Sequence, residues 1–100
     1  ESNRFLKIIE KTEHNINYNR QFSAHRHDFI EIIWVCGGLS TQIVDSKMYE
    51  VRENELLIIP ENSPHYEKNE FYQGYVLLFT YDLFNNQQAQ VLKNLNILHL

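Results

Sequence analysis

Short apolar runs separated by turn residues recur along the chain, and this alternation predicts β-strands. The strongest run, from Phe29 to Val35, is rich in β-branched and aromatic residues and is apolar at odd and even positions alike. A strand of this kind is expected to be covered on both faces. We expect its odd-numbered face to look into a barrel and its other face to meet a second layer or another subunit. Gly37-Gly38 is expected to end the strand in a turn.

The same pattern predicts the remaining elements. Further strands are expected over residues 14–22, 39–44, 47–51, 56–59, 65–68 and 71–80, with a hairpin turn at Asp45-Ser46. Residues 5–10 are expected to form an extended lead-in, and the last five residues resemble the beginning of a strand. Before these last residues, apolar residues at helical spacing predict a helix near 86–95, and Asp82 is expected to cap it. Strands of this length separated by turn signals describe an all-β sandwich or barrel.

Three polar residues interrupt the apolar pattern at and before the strongest strand. His25, His27 and Glu31 are two and four residues apart, so one extended strand would point all three toward the same face. Polar groups that face an apolar interior need hydrogen-bond partners, a ligand or a metal. A fourth group, His65, follows Pro64 at the start of a later strand and can meet them in a small barrel. Three imidazoles and one carboxylate suit a borderline divalent metal.

Composition narrows the function classes. The 100 residues form one domain, and 13 acidic against 9 basic side chains give a net charge of −4. This balance argues against nucleic-acid binding by this segment, which would need a basic face. The single cysteine, Cys36, excludes an internal disulfide and suits a reducing compartment, so we expect a cytoplasmic protein. We interpret Cys36 as a small packing residue and the whole sequence as a fragment of a longer chain.

Two stretches resemble the signatures of the cupin superfamily. The first is His25-x-His27-x3-Glu31-x6-Gly38, and the second is Pro60-x-Asn62-x2-His65-x3-Asn69. Asparagine replaces the usual glycine at three positions of these signatures, namely Asn19, Asn54 and Asn62, and asparagine tolerates left-handed backbone better than most residues. The resemblance implies an all-β, cupin-like double-stranded β-barrel (jelly roll) with a C-terminal helix. It would form a single cupin-like sensing domain over 1–100, with the barrel over about 14–80 and the helix over about 82–96.

A narrower resemblance points to the N-terminal sensing domain of AraC-type transcription regulators. It rests on residues 27–33, on residues 57–60 followed by Pro64-His65, and on residues 74–79 followed by a helix. The family implies a barrel that binds a small effector, often a sugar or related metabolite, and that works without a cofactor. It further implies a homodimer, with self-association through the 82–96 helix. DNA would be contacted only by a C-terminal domain outside this chain.

The resemblance gives a set of candidate site residues. The effector pocket is expected to be lined by His25, His27, Phe29, Glu31, His65 and Tyr49. For the aromatic members, core packing is the competing interpretation, and Trp34 is expected to face away from His27. The alternative function is a small metal-dependent cupin enzyme, a dioxygenase or isomerase, with its metal at His25, His27, Glu31 and His65. We favour the sensing domain because the strand at 75–79 followed directly by a helix resembles AraC-type regulators, whose cupins share the metal motif while generally working without metal.

Overall fold

A computed structural model describes residues 6–12, 29–69, 71–80, 83–94 and 97–100. The elements in these ranges are β1 (Leu6–Lys11), β2 (Ile30–Gly38), β3 (Ser40–Val44), β4 (Lys47–Val51), β5 (Glu55–Ile59), β6 (His65–Asn69), β7 (Tyr72–Phe79), α1 (Asn86–Lys93) and β8 (Leu98–His99). The strand predicted over 14–22 and the two histidines His25 and His27 lie outside the described residues.

The strands form two antiparallel sheets that face each other. One sheet has five strands in the order β1-β7-β2-β5-β8, and the other has three in the order β4-β3-β6. Every pair of neighbouring strands is antiparallel. The predicted all-β architecture is therefore confirmed. The expected lead-in segment is itself a strand, because β1 pairs with β7 from Leu6 opposite Phe79 to Lys11 opposite Gly74.

The core lies between the two sheets and is built from inward-facing positions of β2, β3, β4, β5 and β7. On β2, Ile33 and Val35 are fully buried, whereas Trp34 is 44% exposed and Cys36 is exposed. The odd-numbered face of this strand therefore looks inward, as predicted. The described part of the chain leaves the even-numbered face partly exposed, so its cover by a second layer or another subunit stays a prediction. The interpretation of Cys36 as a packing residue was wrong, because this side chain is exposed on that outer face. The core residues are Ile33, Val35, Val44, Val51, Leu57, Ile59, Tyr72, Val76 and Leu78.

Gly37 and Gly38 end β2, as predicted, but they do so as its last two paired residues and not as a separate turn, since Gly38 pairs with Tyr72. A register shift between Val35 and Gly37 inserts a β-bulge that lets the pairing go on. Gly38 has a φ of 82°, which a residue with a side chain adopts only under strain. The asparagine prediction is confirmed at Asn54, whose φ is 68°.

The predicted helix is present, but its N-cap is a different residue from the one predicted. The N-cap of α1 is Asn85, whose side chain accepts a hydrogen bond from the backbone N–H of Gln88 over 2.8 Å. The Gln88 side chain in turn accepts from the backbone N–H of Asn85, which completes a capping box. Asp82 was therefore the wrong cap. No residue of α1 is buried, and Val91 is 66% exposed.

Candidate functional site

Glu31 occupies an inward-facing position near the start of β2. Its strand lies between two others, so that Ile59 of β5 and Leu78 of β7 stand opposite it. Both of those residues belong to the core, and Glu31 itself is 8% exposed. A carboxylate in such surroundings loses most of its hydration and needs a polar or charged partner. That partner comes from the other sheet.

His65 begins β6 in the three-stranded sheet, and the preceding loop holds it in place. The backbone N–H of Asp45, in the β3–β4 turn, donates to the Pro64 carbonyl over 2.9 Å. Asn62 has a φ of 63°, the left-handed conformation that turns the loop. The Nδ1 atom of His65 lies 2.9 Å from the carbonyl oxygen of Ser63. The imidazole is therefore oriented by its own loop, and its side chain is only 1% exposed.

The Glu31 carboxylate and the His65 imidazole meet between the sheets. Their Oε1 and Nε2 atoms are 3.5 Å apart, in an ion pair that is buried on both sides. Burial acts to lower the pKa of His65. The contact with Glu31, the hydrogen bond with Ser63 and the charge of Glu67 act in the opposite direction, and the net effect raises the pKa above its usual value. His65 therefore meets Glu31, as expected for a small barrel.

A cavity of about 150 Å³ adjoins the pair. Its lining combines aliphatic with ionisable side chains, namely Ile9, Lys11, Glu31, His65, Glu67, Val76 and Leu78. Glu67 is 5% exposed and contributes a second buried carboxylate. Sequence reasoning missed Glu67, although its spacing of two from His65 on one strand was a sufficient signal. No comparable signal in the sequence identifies Lys11, which reaches the cavity through the pairing of β1 with β7.

The inner face of the three-stranded sheet carries further polar groups. Gln42 of β3 stands between Tyr49 of β4 and Glu67 of β6 in one cross-strand row. Its side chain is fully buried, and its Nε2 donates to the Ser40 hydroxyl over 2.8 Å. Its Oε1 has no hydrogen-bond partner among the described residues. This sheet therefore presents a polar inner surface to the more apolar inner surface of the five-stranded sheet.

The structure separates the other predicted pocket residues. Phe29 and Tyr49 are both partly buried and pack against the core, and neither lines the cavity beside Glu31. The Tyr49 ring makes an edge contact with His99 at 6.3 Å between centroids, and the Lys47 ammonium lies 5.4 Å from the Tyr49 ring centre. The structure thus brings Glu31 and His65 together and places Tyr49 elsewhere on the inner face.

Of the four residues in the metal hypothesis, the structure describes Glu31 and His65, whereas His25 and His27 lie outside the described residues. Within the described ranges, no group of three or more histidine, cysteine, aspartate or glutamate side chains is arranged to hold a metal ion. A metal at these four residues stays a prediction.

Comparison with known proteins identifies one family. The model of the AraC-like ligand binding domain matches residues 12–92, which include the buried ion pair and five of the seven residues that line the cavity. No curated protein matches the chain significantly. In the part of the chain that the structure describes, no helix is long and apolar enough to cross a membrane.

Proposed function

Because the chain belongs to the AraC-like ligand binding domain family, we propose that it binds a small effector between its two sheets and thereby controls a DNA-binding domain outside this chain. The domain is the sensing part of an AraC-type regulator. The proposed effector is a sugar or a related metabolite, and the proposed compartment is the cytoplasm. The observation that carries the proposal is the buried Glu31–His65 pair beside a cavity.

The chemistry of this cavity suits recognition of a small polar molecule. Ligand sites combine apolar walls with a few convergent polar groups that orient the ligand. Here Val76, Leu78 and Ile9 supply the apolar wall, while Glu31, held in place by its contact with His65, supplies an acceptor. We propose that the pocket extends beyond this cavity to His25 and His27 and, along the core, to Phe29 and Tyr49.

Strand pairing offers a route from this site to the C-terminal end of the chain. Glu31 stands opposite Ile59 of β5, and two residues earlier on β5 Leu57 stands opposite His99 of β8. The Nε2 of His99 lies 2.8 Å from the Glu55 carboxylate, which ties β8 to the same strand. We propose that effector binding shifts the position or the stability of β8, because a ligand redistributes states only through contacts that differ between them.

The alternative, a small metal-dependent cupin enzyme, would use the same region differently. A dioxygenase or isomerase would need a metal held by His25, His27, Glu31 and His65. The family match favours sensing over catalysis, since the family is one of ligand-binding domains. Metal analysis of the purified chain after dialysis, with H65A as control, discriminates the two. Stoichiometric metal that is lost in H65A would support the enzyme alternative.

The proposed function is tested by thermal unfolding of the chain in the presence of a metabolite library. A ligand that binds only the folded state stabilises it by RT ln(1 + [L]/Kd), or about 2.7 kcal/mol at a hundredfold excess over Kd. We expect at least one metabolite to raise the Tm of the wild type, and the shift to shrink in E31Q but not in E53Q, where the altered glutamate lies in an exposed turn. A library without any stabilising compound would contradict the proposal.

We also propose that the domain forms a homodimer through the outer face of its five-stranded sheet. The register aligns apolar outward-facing side chains in one row across all five strands, namely Ile8, Leu77, Ile32, Ile58 and Leu98. The two edge positions of this row, Ile8 and Leu98, are 61% and 38% exposed. In the next row, Trp34 packs on Tyr75 with 5.6 Å between ring centroids and remains 44% exposed.

The size of this outer face fits a second copy of the chain. Five strands at about 4.8 Å spacing and three side-chain rows cover on the order of 500 Å² in projection. A standard interface buries about 800 Å² of accessible surface per partner, and accessible area exceeds projected area because side chains protrude. Two sheets can pack face to face in this way across a two-fold axis. Helix α1, expected from the sequence to mediate self-association, carries apolar side chains at only three of its eight positions, Ala89, Val91 and Leu92.

A further inference from the structure

Gln42 is a buried amide whose hydrogen bonds are only half completed by the described part of the chain. Its side chain is fully buried at the centre of β3, and its Nε2 donates to the Ser40 hydroxyl over 2.8 Å. Its Oε1 has no hydrogen-bond partner among the described residues. Buried polar atoms nearly always have a partner, because an unpaired one loses its hydration without compensation. The Oε1 of Gln42 therefore points to a donor that the described residues do not supply.

The surroundings of this amide hold it in one orientation. Ser40 is also fully buried and lies two residues earlier on the same face of β3. Its hydroxyl fixes the Nε2 end of the amide, so the Oε1 end is directed before any ligand arrives. Strands β4 and β6 flank β3 on both sides and restrain its backbone. An acceptor held in this way is preorganised, and preorganisation lowers the cost of ordering groups on binding.

Gln42 also stands next to the cavity of the proposed site. Its cross-strand neighbour on β6 is Glu67, which belongs to the cavity lining. Side chains directly opposite each other on antiparallel strands have their Cβ atoms about 5 Å apart. A small molecule that contacts Glu67 therefore comes within reach of the Gln42 amide. On its other side Gln42 faces Tyr49 of β4, which the sequence predicted as a pocket residue.

We propose that Gln42 is a further effector-contacting residue, whose Oε1 accepts a hydrogen bond from an O–H or N–H group of the molecule in the cavity. This inference rests on the proposed sensing function and deepens it by adding a contact that determines specificity. A molecule with a donor at this point satisfies Oε1, whereas a molecule that offers only acceptors leaves it unpaired. Gln42 therefore selects among effectors of similar shape by the presence of a donor at one position.

Cyclopentanol and cyclopentanone test this requirement, because they share a ring and differ at the oxygen, which donates only in the alcohol. Both are small enough for a cavity of about 150 Å³, the volume of roughly five water molecules at about 30 Å³ each. We expect the wild-type chain to bind the alcohol about tenfold more tightly than the ketone, which corresponds to one neutral hydrogen bond. In ¹⁵N–¹H NMR titrations, the alcohol should shift the side-chain amide signal of Gln42.

Variants then assign the preference for the alcohol to Gln42. S40A/Q42M removes both hydrogen-bonding groups and leaves apolar side chains of similar size, a change that can be neutral for stability. We expect this variant to keep its Tm within a few degrees of wild type, to lose about tenfold in affinity for cyclopentanol and to keep its affinity for cyclopentanone. Q73M makes the same exchange at an exposed position of β7 and serves as the matched control, with the tenfold preference retained.

A purely structural role for Gln42 predicts the opposite results and would overturn the inference. The Tm of S40A/Q42M would then fall well below that of Q73M, and the ratio of the two dissociation constants would stay at its wild-type value. On the wild type alone, equal binding of both probes, no binding of either, or an unshifted Gln42 amide signal would also overturn it, whether or not the variant folds.

The sensing proposal is decided separately, by the metabolite library. A metabolite that raises the Tm of wild type and of S40A/Q42M equally would leave the sensing function intact and remove Gln42 from the site.

Discussion

Glu31 of β2 and His65 of β6 form a buried ion pair that joins the two sheets, with 3.5 Å between Oε1 and Nε2. The two residues are separated by more than thirty positions in the chain, yet both sit at inward-facing positions near the same end of the sandwich. The pair therefore reports on the packing of one sheet against the other as well as on the proposed pocket.

The pair predicts a characteristic pH dependence of stability. The pKa of His65 is raised in the folded chain relative to the unfolded chain, so the folded state binds the proton more tightly. The resulting stabilisation is complete below the unfolded pKa of about 6.5 and is lost as the pH rises through the folded pKa. We expect the free energy of unfolding, measured by urea titration, to fall as the pH rises from about 6.5 into the alkaline range.

Replacement of Glu31 tests the origin of this dependence. E31Q should reduce the free energy of unfolding by about 2 kcal/mol near pH 6.5, because a buried imidazolium would lose its counter-charge. It should also flatten the profile above pH 6.5. E53Q, in an exposed turn, should keep the wild-type profile. If the free energy of unfolding of E31Q fell with pH as steeply as that of the wild type, a group other than His65 would be responsible.

Adjacent isoleucines on β2 test the assignment of its two faces. Ile33 is fully buried in the core, and Ile32 next to it lies on the outer face, partly exposed. I33A should cost about 3–4 kcal/mol, since it removes buried methyl groups and leaves a cavity. I32A should cost about 1 kcal/mol in dilute protein, because its side chain loses less contact. Equal losses in urea unfolding would mean that the faces are misassigned.

Two glycines near the bulge, Gly74 and Gly37, are expected to differ in how well they tolerate replacement by alanine. A Cβ on Gly74 would overlap the backbone carbonyl of Trp34, which stands on the neighbouring strand and cannot move alone. A Cβ on Gly37 would meet only the Gln73 side chain at 3.5 Å, an ordinary contact. G74A should therefore lose about 3 kcal/mol or fail to fold, and G37A should stay within about 1 kcal/mol of wild type. Similar Tm values for the two variants would contradict the close packing of β7 on β2.

The proposed dimer surface predicts a difference between two charge insertions. I8K places an ammonium in the apolar outer row, and V91K places one on the exposed face of α1. At tens of micromolar protein, sedimentation equilibrium should show a dimer for wild type and V91K and a monomer for I8K. The reverse pattern would assign self-association to the helix, as the sequence first suggested. A monomeric wild type would contradict the homodimer itself.

The sequence by itself determined the strands, the direction of the buried face and half of the candidate site. Alternation of period two directed Glu31, Ile33 and Val35 to one face, because successive strand residues point to opposite sides. The left-handed backbone at the turn residues Asn54 and Asn62 was predictable for a similar reason, because asparagine is one of the few residues with a side chain that tolerates a positive φ. Such properties depend on neighbours within a few residues of the chain, and they can therefore be predicted from the sequence.

The tertiary structure decided what depends on pairing between distant strands. Continuation of β2 through Gly38 follows from its bulged pairing with β7, and no local signal shows which strand will be its neighbour. The same holds for Tyr49, which the packing of β8 places beside His99 and outside the cavity. The lining of the cavity, to which Glu67 and Lys11 contribute from different sheets, became apparent only when the two sheets faced each other.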